Sequence, residues 1–166
     1  MFTYNGTPKA HYFSFRFLTH LKNYLIASGN WYFVTKSDND IVMILYNYEH
    51  FSKLFAKGIQ FYSDPKDRYA AFSQKKKAHF HVELQDIPSN ECSIREVFIN
   101  QQYGSSYDTW VQMGEPSLLD NVEIALLLQK SYPGQIISKK AIENGSLILE
   151  TDLEPLEVRL IHIKPI

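Results

Sequence analysis

His79 and His81 stand two apart in the run His79-Phe-His-Val-Glu-Leu84. On a strand this spacing sends both imidazoles to one face, a pair that can bind zinc or copper. No third ligand is evident, because the single cysteine, Cys92, lies a turn and a further strand away. Phe80, Val82 and Leu84 supply an apolar face, so solvent-facing histidines on an amphipathic strand are the better reading. No metal and no other cofactor is expected. Four carboxylates, Glu150, Asp152, Glu154 and Glu157, crowd the C-terminal end. A pair across a cleft would suit glycoside hydrolysis, one as acid and the other as nucleophile or base. These four surround the turn-like Leu153-Glu-Pro155, and nothing sets two of them across a pocket. No catalytic residue is assigned.

Trp31, Trp110, Tyr103 and Tyr107 could stack on sugar rings, and Tyr103 and Tyr107 are kept as candidate sugar contacts. For Trp110 a structural part is preferred: an anchor buried in a loop where Gly104 gives tight backbone geometry and Ser105 or Asp108 holds nearby N–H groups. Gln74-Lys-Lys-Lys77, with Lys66 and Arg68 nearby, could meet phosphate or an acidic neighbour. A solvated loop before an edge strand suits it better, since lysine discourages edge pairing. No glycine-rich phosphate loop and no Ser/His/Asp set stands out, and Ser105-Ser106 lacks the glycines of a nucleophile elbow.

The elements that must hold these residues read as follows. His11 to Ile26 carries an apolar stripe at three- and four-residue steps, predicting a helix after Pro8 that Ser28-Gly-Asn30 ends. Trp31–Thr35 and Ile41–Tyr46, joined by Ser37-Asp-Asn-Asp40, predict a hairpin. A short helix is expected near Phe51–Ala56, then a loop with a turn at Pro65 and Asp67. His79–Leu84 and Cys92–Ile99 alternate as strands. Tyr107–Met113 predicts a helical turn. Asp120 with Glu123 forms a capping box for a helix through Tyr132, with Val122, Ala125, Leu126 and Gln129 on one face. Ile136–Lys139, Ser146–Thr151 and Glu157–Ile163 predict closing strands, with a turn at Glu143-Asn-Gly145. About seven strands in separate hairpins, without alternating βαβ units, imply a mainly β chain built as an antiparallel sandwich.

The 166 residues suit one domain, long enough to bury a core without metals or disulfides. With 45% hydrophobic and 14% aromatic residues, disorder is excluded. A net charge of −1 argues against a dedicated nucleic-acid binder. One cysteine permits no intramolecular disulfide and favours a reducing compartment. No apolar run reaches bilayer length, so no membrane partner is expected.

Asn100, Gly104, Ser105, Asp108, Trp110, Met113 and Gly114 fall in one segment, Asn100-Gln-Gln-Tyr-Gly-Ser-Ser-Tyr-Asp-Thr-Trp-Val-Gln-Met-Gly114. It resembles the N-x-x-x-G-S-x-x-D-x-W-x-x-M-G segment near the C-terminus of glycoside hydrolase family 39 proteins. These include β-xylosidases and AraC-type transcriptional regulators that carry a xylosidase-like region. Gly6 to Leu18, with Pro8-Lys9, Tyr12 and Phe17-Leu18, resembles the family's last barrel helix. Leu153-Glu-Pro-Leu-Glu-Val-Arg-Leu-Ile-His-Ile163, with Glu157 and Arg159, resembles its closing strand. Tyr46-Asn-Tyr-Glu-His-Phe-Ser52 resembles the regulator branch.

The resemblance implies a fold in which residues 1–28 are a helix left over from a (β/α)8 barrel and residues 29–166 an accessory sandwich with a second, inserted helix. It implies that Met1 opens a piece of a longer protein, and that the family's catalytic glutamates lie in the barrel, outside this chain. It further implies a cytoplasmic AraC-type regulator as parent, with barrel and helix-turn-helix domains upstream and a possible homo-oligomer. A true β-xylosidase and a free carbohydrate-binding module are the alternatives.

Overall fold

The computed structural model describes residues 2–3, 6–38, 40–59, 64–72 and 76–166, with the backbone alone at 65 and 66. In chain order the elements are α1 (Ala10–Leu18), β1 (Tyr24–Gly29), β2 (Tyr32–Ser37), β3 (Asp40–Tyr46), α2 (Lys53–Ala56), a 3-10 turn (Pro65–Ala71), β4 (Ala78–Leu84), β5 (Glu91–Ile99), α3 (Tyr107–Gln112), α4 (Asn121–Lys130), β6 (Gly134–Ala141), β7 (Leu147–Leu153) and β8 (Val158–Pro165). Six strands form one sheet in the order β1-β2-β3-β8-β5-β6, and β4 pairs with β7 in a second. Every pairing is antiparallel. The sandwich expected from the strand pattern is therefore present, with eight strands among the described residues.

The central strand explains the layering. β3 is an unbroken apolar run, Ile41-Val-Met-Ile-Leu45, and all five residues are buried. Period-two geometry sends Ile41, Met43 and Leu45 toward the small sheet. There they join Ile94, Ile161, Ile163, Leu147, Leu149 and Leu153. Val42 and Ile44 point the other way and meet Phe13 and Phe17 of α1, with Ile99 and Leu160. One sheet thus carries a core on each face.

Turn chemistry matches the strand spacing. Asp38 turns β2 into β3 at φ 47, and Asn144-Gly145 turns β6 toward β7 with both residues at positive φ. Asp120 and Glu123 form the reciprocal capping box on α4, each side chain taking the other's backbone N–H at 2.8 and 2.9 Å.

The first helix is half as long as the sequence predicts. It stops at Leu18, and Tyr24–Gly29 becomes the edge strand β1 instead of a helical end. Thr19 Oγ1 donates to the Arg16 carbonyl at 2.8 Å, and the Lys22 N–H donates to Thr35 Oγ1 at 2.9 Å, which draws the chain onto the sheet. Tyr24, Leu25 and Ile26 fit a strand by their own preferences, so their helical spacing from Leu21 was coincidental. Within α1, Phe13 and Phe17 are buried while Phe15 and Leu18 are exposed. α4 is more exposed still. Only Leu127 is buried, and the Val122-Ala125-Leu126-Gln129 face is exposed.

Replacing Phe17 by Ala should cost roughly 3–5 kcal/mol in denaturant unfolding. Phe15→Ala should stay within about 0.5 kcal/mol, as an exposed position does. Equal, small losses at both would mean that α1 is not part of the sandwich core.

Candidate functional site

Glu157 is the most deeply buried carboxylate described, 1% exposed. The chain reaches it through the tight turn Leu153–Leu156, where Leu156 takes φ 64, and β8 begins one residue later. A buried carboxylate must be paired and fully hydrogen-bonded, and this one is. Its oxygens accept from Asn100 Nδ2 at 3.0 Å, from the Glu154 N–H at 3.2 Å and from Arg159 Nε at 2.8 Å. Arg159 continues the network between the two sheets. Its Nη1 reaches Glu96 on β5 at 2.9 Å and Thr151 on β7 at 2.7 Å. The guanidinium carbon lies 5.0 Å from the Phe98 ring centre, a cation–π contact. Gly134 stands opposite Phe98 in the ladder, and any Cβ there would fall 2.5 Å from the ring.

Asn47 locks the same corner from β3. Its N–H donates to the Glu157 carbonyl at 2.9 Å, and its side-chain amide donates to the carbonyls of Lys76, Leu153 and Glu154. Glu96, Thr151 and Asn47 were not singled out by sequence reasoning. Asn47 does lie in the Tyr46–Ser52 motif, and Glu96 breaks the apolar alternation of β5.

The Asn100–Gly114 segment is a strap between β5 and α4. Asn100 Oδ1 accepts from the N–H groups of Gln102 and Tyr103, an Asx turn. Gly104 has φ +84, and a Cβ there would sit 2.4 Å from Ile99 Cγ2. Ser105 Oγ accepts from the Tyr107 N–H at 3.4 Å. Met113 caps α3, and Gly114 turns the chain at φ +88. Asp108 Oδ2 accepts from Arg68 Nη2 at 3.0 Å and from the Tyr69 hydroxyl at 2.8 Å. Arg68 lies 4.0 Å from the Tyr107 ring centre. Trp110 is half-buried instead of fully enclosed, with Nε1 donating to the Pro116 carbonyl at 3.1 Å. It lines, with Tyr107, a cleft of about 670 Å³ beside Thr7, Pro8 and Ile124. Tyr103 is exposed and edge-on to Phe98, and of the two tyrosines only Tyr107 lines this cleft. Trp31 is exposed beside Tyr46.

The histidine pair lies on the outer face of β4, with Phe80, Val82 and Leu84 turned inward. His79 faces Asp152 at 2.8 Å, His81 faces Glu150 at 3.1 Å and Lys77 faces Glu154 at 2.6 Å. The C-terminal carboxylates thus form a cross-strand charge ladder on the surface, apart from Glu157. Cys92 is buried in the sandwich core, where burial pushes its thiol above the ordinary value. No group of three His, Cys, Asp or Glu among the described residues is placed to hold a metal. Gln74 and Lys75 of the basic run, and the Lys66 side chain, lie outside the described residues. No described helix is long and apolar enough to cross a membrane.

No family model matches the chain, and no curated protein matches it. Solved structures do resemble it. A β-xylosidase from Caulobacter crescentus CB15, described as monomeric, superposes with TM-score 0.80 at 15% identity, over 99% of this chain and 32% of its own. The GH39 enzyme of Xanthomonas axonopodis pv. citri gives 0.78 at 14%, over 97% of this chain and 31% of its own. A glucosidase from Croceicoccus marinus gives 0.57 at 11%. At these identities the likeness is one of fold.

Burial, and then the hydrogen bond to Asp108, push the Tyr69 phenol up to about 12. Below the ordinary value of about 10, folded and unfolded chains both keep the proton. Between about 10 and about 12 only the unfolded chain ionises, so the Tyr69 contribution to stability is lost as pH rises through that window. A spectroscopic titration of wild type minus Tyr69→Phe should show one phenol ionising near 12. A difference centred near 10 would refute the buried bond to Asp108. The chain spans about a third of each xylosidase-type structure it matches, and the architecture is that of the part it covers.

Proposed function

We propose that this chain is the accessory β-sandwich of a larger xylosidase-like protein and does no chemistry itself. The observation that carries this reading is the use made of the carboxylates. Glu150 and Asp152 face histidines on the surface of β4, Glu154 faces Lys77 just before it, and Glu157 is spent on Arg159 inside the sandwich. None stands across a cleft from another, as a hydrolytic pair must at about 5–10 Å. The bare apolar face of α4, with Val122 77% exposed and Leu118 in the loop before it 89% exposed, fits a surface that another part of the parent covers.

In this reading α1 lies at the edge of a barrel, and the sandwich that braces it begins with β1, earlier than the boundary after residue 28 that the sequence implies. The Tyr46–Ser52 motif favours an AraC-type transcriptional regulator as the parent. Its helix-turn-helix domain would bind DNA, and its barrel would sense a sugar-like effector. The whole would work in the cytoplasm, with this chain assisting assembly or effector sensing. An active β-xylosidase is the second parent that the same motifs fit. A carbohydrate-binding module is a third reading, and the cleft beside Trp110 and Tyr107 speaks for it.

The chain should hydrolyse no aryl xyloside above the buffer rate. It should also bind no DNA fragment at low salt with micromolar or tighter affinity, the range of even non-specific binders. Turnover abolished by Glu150→Gln or Asp152→Asn would sink the accessory reading. Salt-dependent DNA binding would contradict the division of labour. Saturable xylo-oligosaccharide binding lost in Trp110→Ala, in a variant that still folds, would move the assignment to the binding module.

A further inference from the structure

The face of the large sheet that α1 only half covers ends in a cleft of about 310 Å³, near the lower end of the range for small-molecule sites, roughly 300–1,000 Å³. Its floor is Val42, Val97 and Leu160, and its wall is Phe13 and Phe17 of α1. Basic groups from four separate places converge on it. Arg16 and His20 come from the end of α1, Lys22 from the following loop, Arg95 from β5 and His162 from β8. Arg95 and His162 stand directly opposite each other in the ladder.

One carboxylate faces this group. Asp40 on β3 takes Lys22 Nζ at 3.2 Å, with His162 Nε2 at 3.3 Å off hydrogen-bond geometry. Arg95 rests on the neutral Gln135 amide at 3.0 Å. Three fixed cations, Arg16, Lys22 and Arg95, therefore meet one fixed anion, a surplus of two positive charges in a chain whose net charge is −1. The field is felt locally: burial and then Arg16, Arg95, His162 and Lys22 hold the His20 imidazole below its ordinary range. The end of a helix attracts Arg16 and His20 on its own account, but Arg95 and His162 belong to the sheet and gain nothing from that dipole.

We propose that this cleft binds a small organic anion. Its carboxylate or phosphate head meets Arg16, His20 and Arg95, and its body lies on Phe17 and Val97. Lys22 and His162 stay with Asp40 and set the far side of the site. This proposal does not depend on the chain being part of a xylosidase-like protein. It rests on a cleft with apolar walls and an uncompensated basic rim, the pairing that binds an amphiphilic anion.

The test follows the histidine resonances of the whole chain by NMR during titration with benzoate, inorganic phosphate and the neutral control benzyl alcohol. Benzoate or phosphate should saturate the shifts of His20 and raise its pKa, because a bound anion offsets the neighbouring positive charge. Benzyl alcohol should do neither. Arg95→Gln and, separately, Arg16→Gln should weaken the saturating anion by roughly tenfold or more, the loss expected for one charge-assisted hydrogen bond. Both side chains are exposed, so both variants should keep the wild-type unfolding midpoint. Saturation by benzoate alone assigns the site to carboxylates, and saturation by phosphate alone to phosphates. No saturable shift with either anion overturns the proposal, as does saturation undiminished in both variants or matched by benzyl alcohol.

Discussion

A carboxylate buried to 1% exposure governs how this sandwich closes. Removing a charge from water costs several kcal/mol, and the cost is recovered only if every oxygen finds a well-placed donor. Glu157 draws its donors from one place distant in sequence, Asn100 at the start of the strap, and from two neighbours, Glu154 in the β7–β8 turn and Arg159 at the start of β8. Its backbone carbonyl takes a fourth, the N–H of Asn47. A sandwich closed only by apolar contacts could slide in register. One closed over Glu157 and Arg159 has a single arrangement in which no charge is stranded, because Arg159 also requires Glu96 from one sheet and Thr151 from the other.

This constraint gives the recognised motifs a physical meaning. Asn100 divides its amide between the turn it starts and the carboxylate it serves. Gly104 is needed where the strap passes over Ile99 at positive φ. Asp108 gathers Arg68 and Tyr69 and so ties the 3-10 turn to α3. These residues hold segments together, and none of them points a reactive group into a cleft.

Much of this was legible in the sequence, and the reasons differ by element. β3 could be read because five apolar residues in succession need two buried faces. The α4 cap could be read because Asp120 and Glu123 satisfy each other locally. α1 was overextended because Leu21, Tyr24 and Leu25 fall on a helical stripe by chance. What ends the helix is a long-range bond from Lys22 to Thr35, which no local window contains. The α4 face was legible as a stripe, but its exposure was not. Val122, Ala125 and Leu126 do form an apolar stripe, but no described residue covers it. Glu157 was visible as part of a motif, yet its burial was not. Glu96 and Thr151, which bond Arg159, and Asn47, which bonds the Glu157 carbonyl, are ordinary residues until the sheets bring them together. The basic cleft escaped notice for the same reason, since its five side chains are scattered from Arg16 to His162.

The strap and the closing strand are held to each other through the Glu157 carboxylate. A double-mutant cycle with Asn100→Ala and Glu157→Gln, read by denaturant unfolding, tests this directly. Contacting residues in one network are expected to show a coupling energy of about 0.5–3 kcal/mol, and the account predicts a value within that range. Losses that add to within about 0.3 kcal/mol, as they do for independent sites, would contradict it.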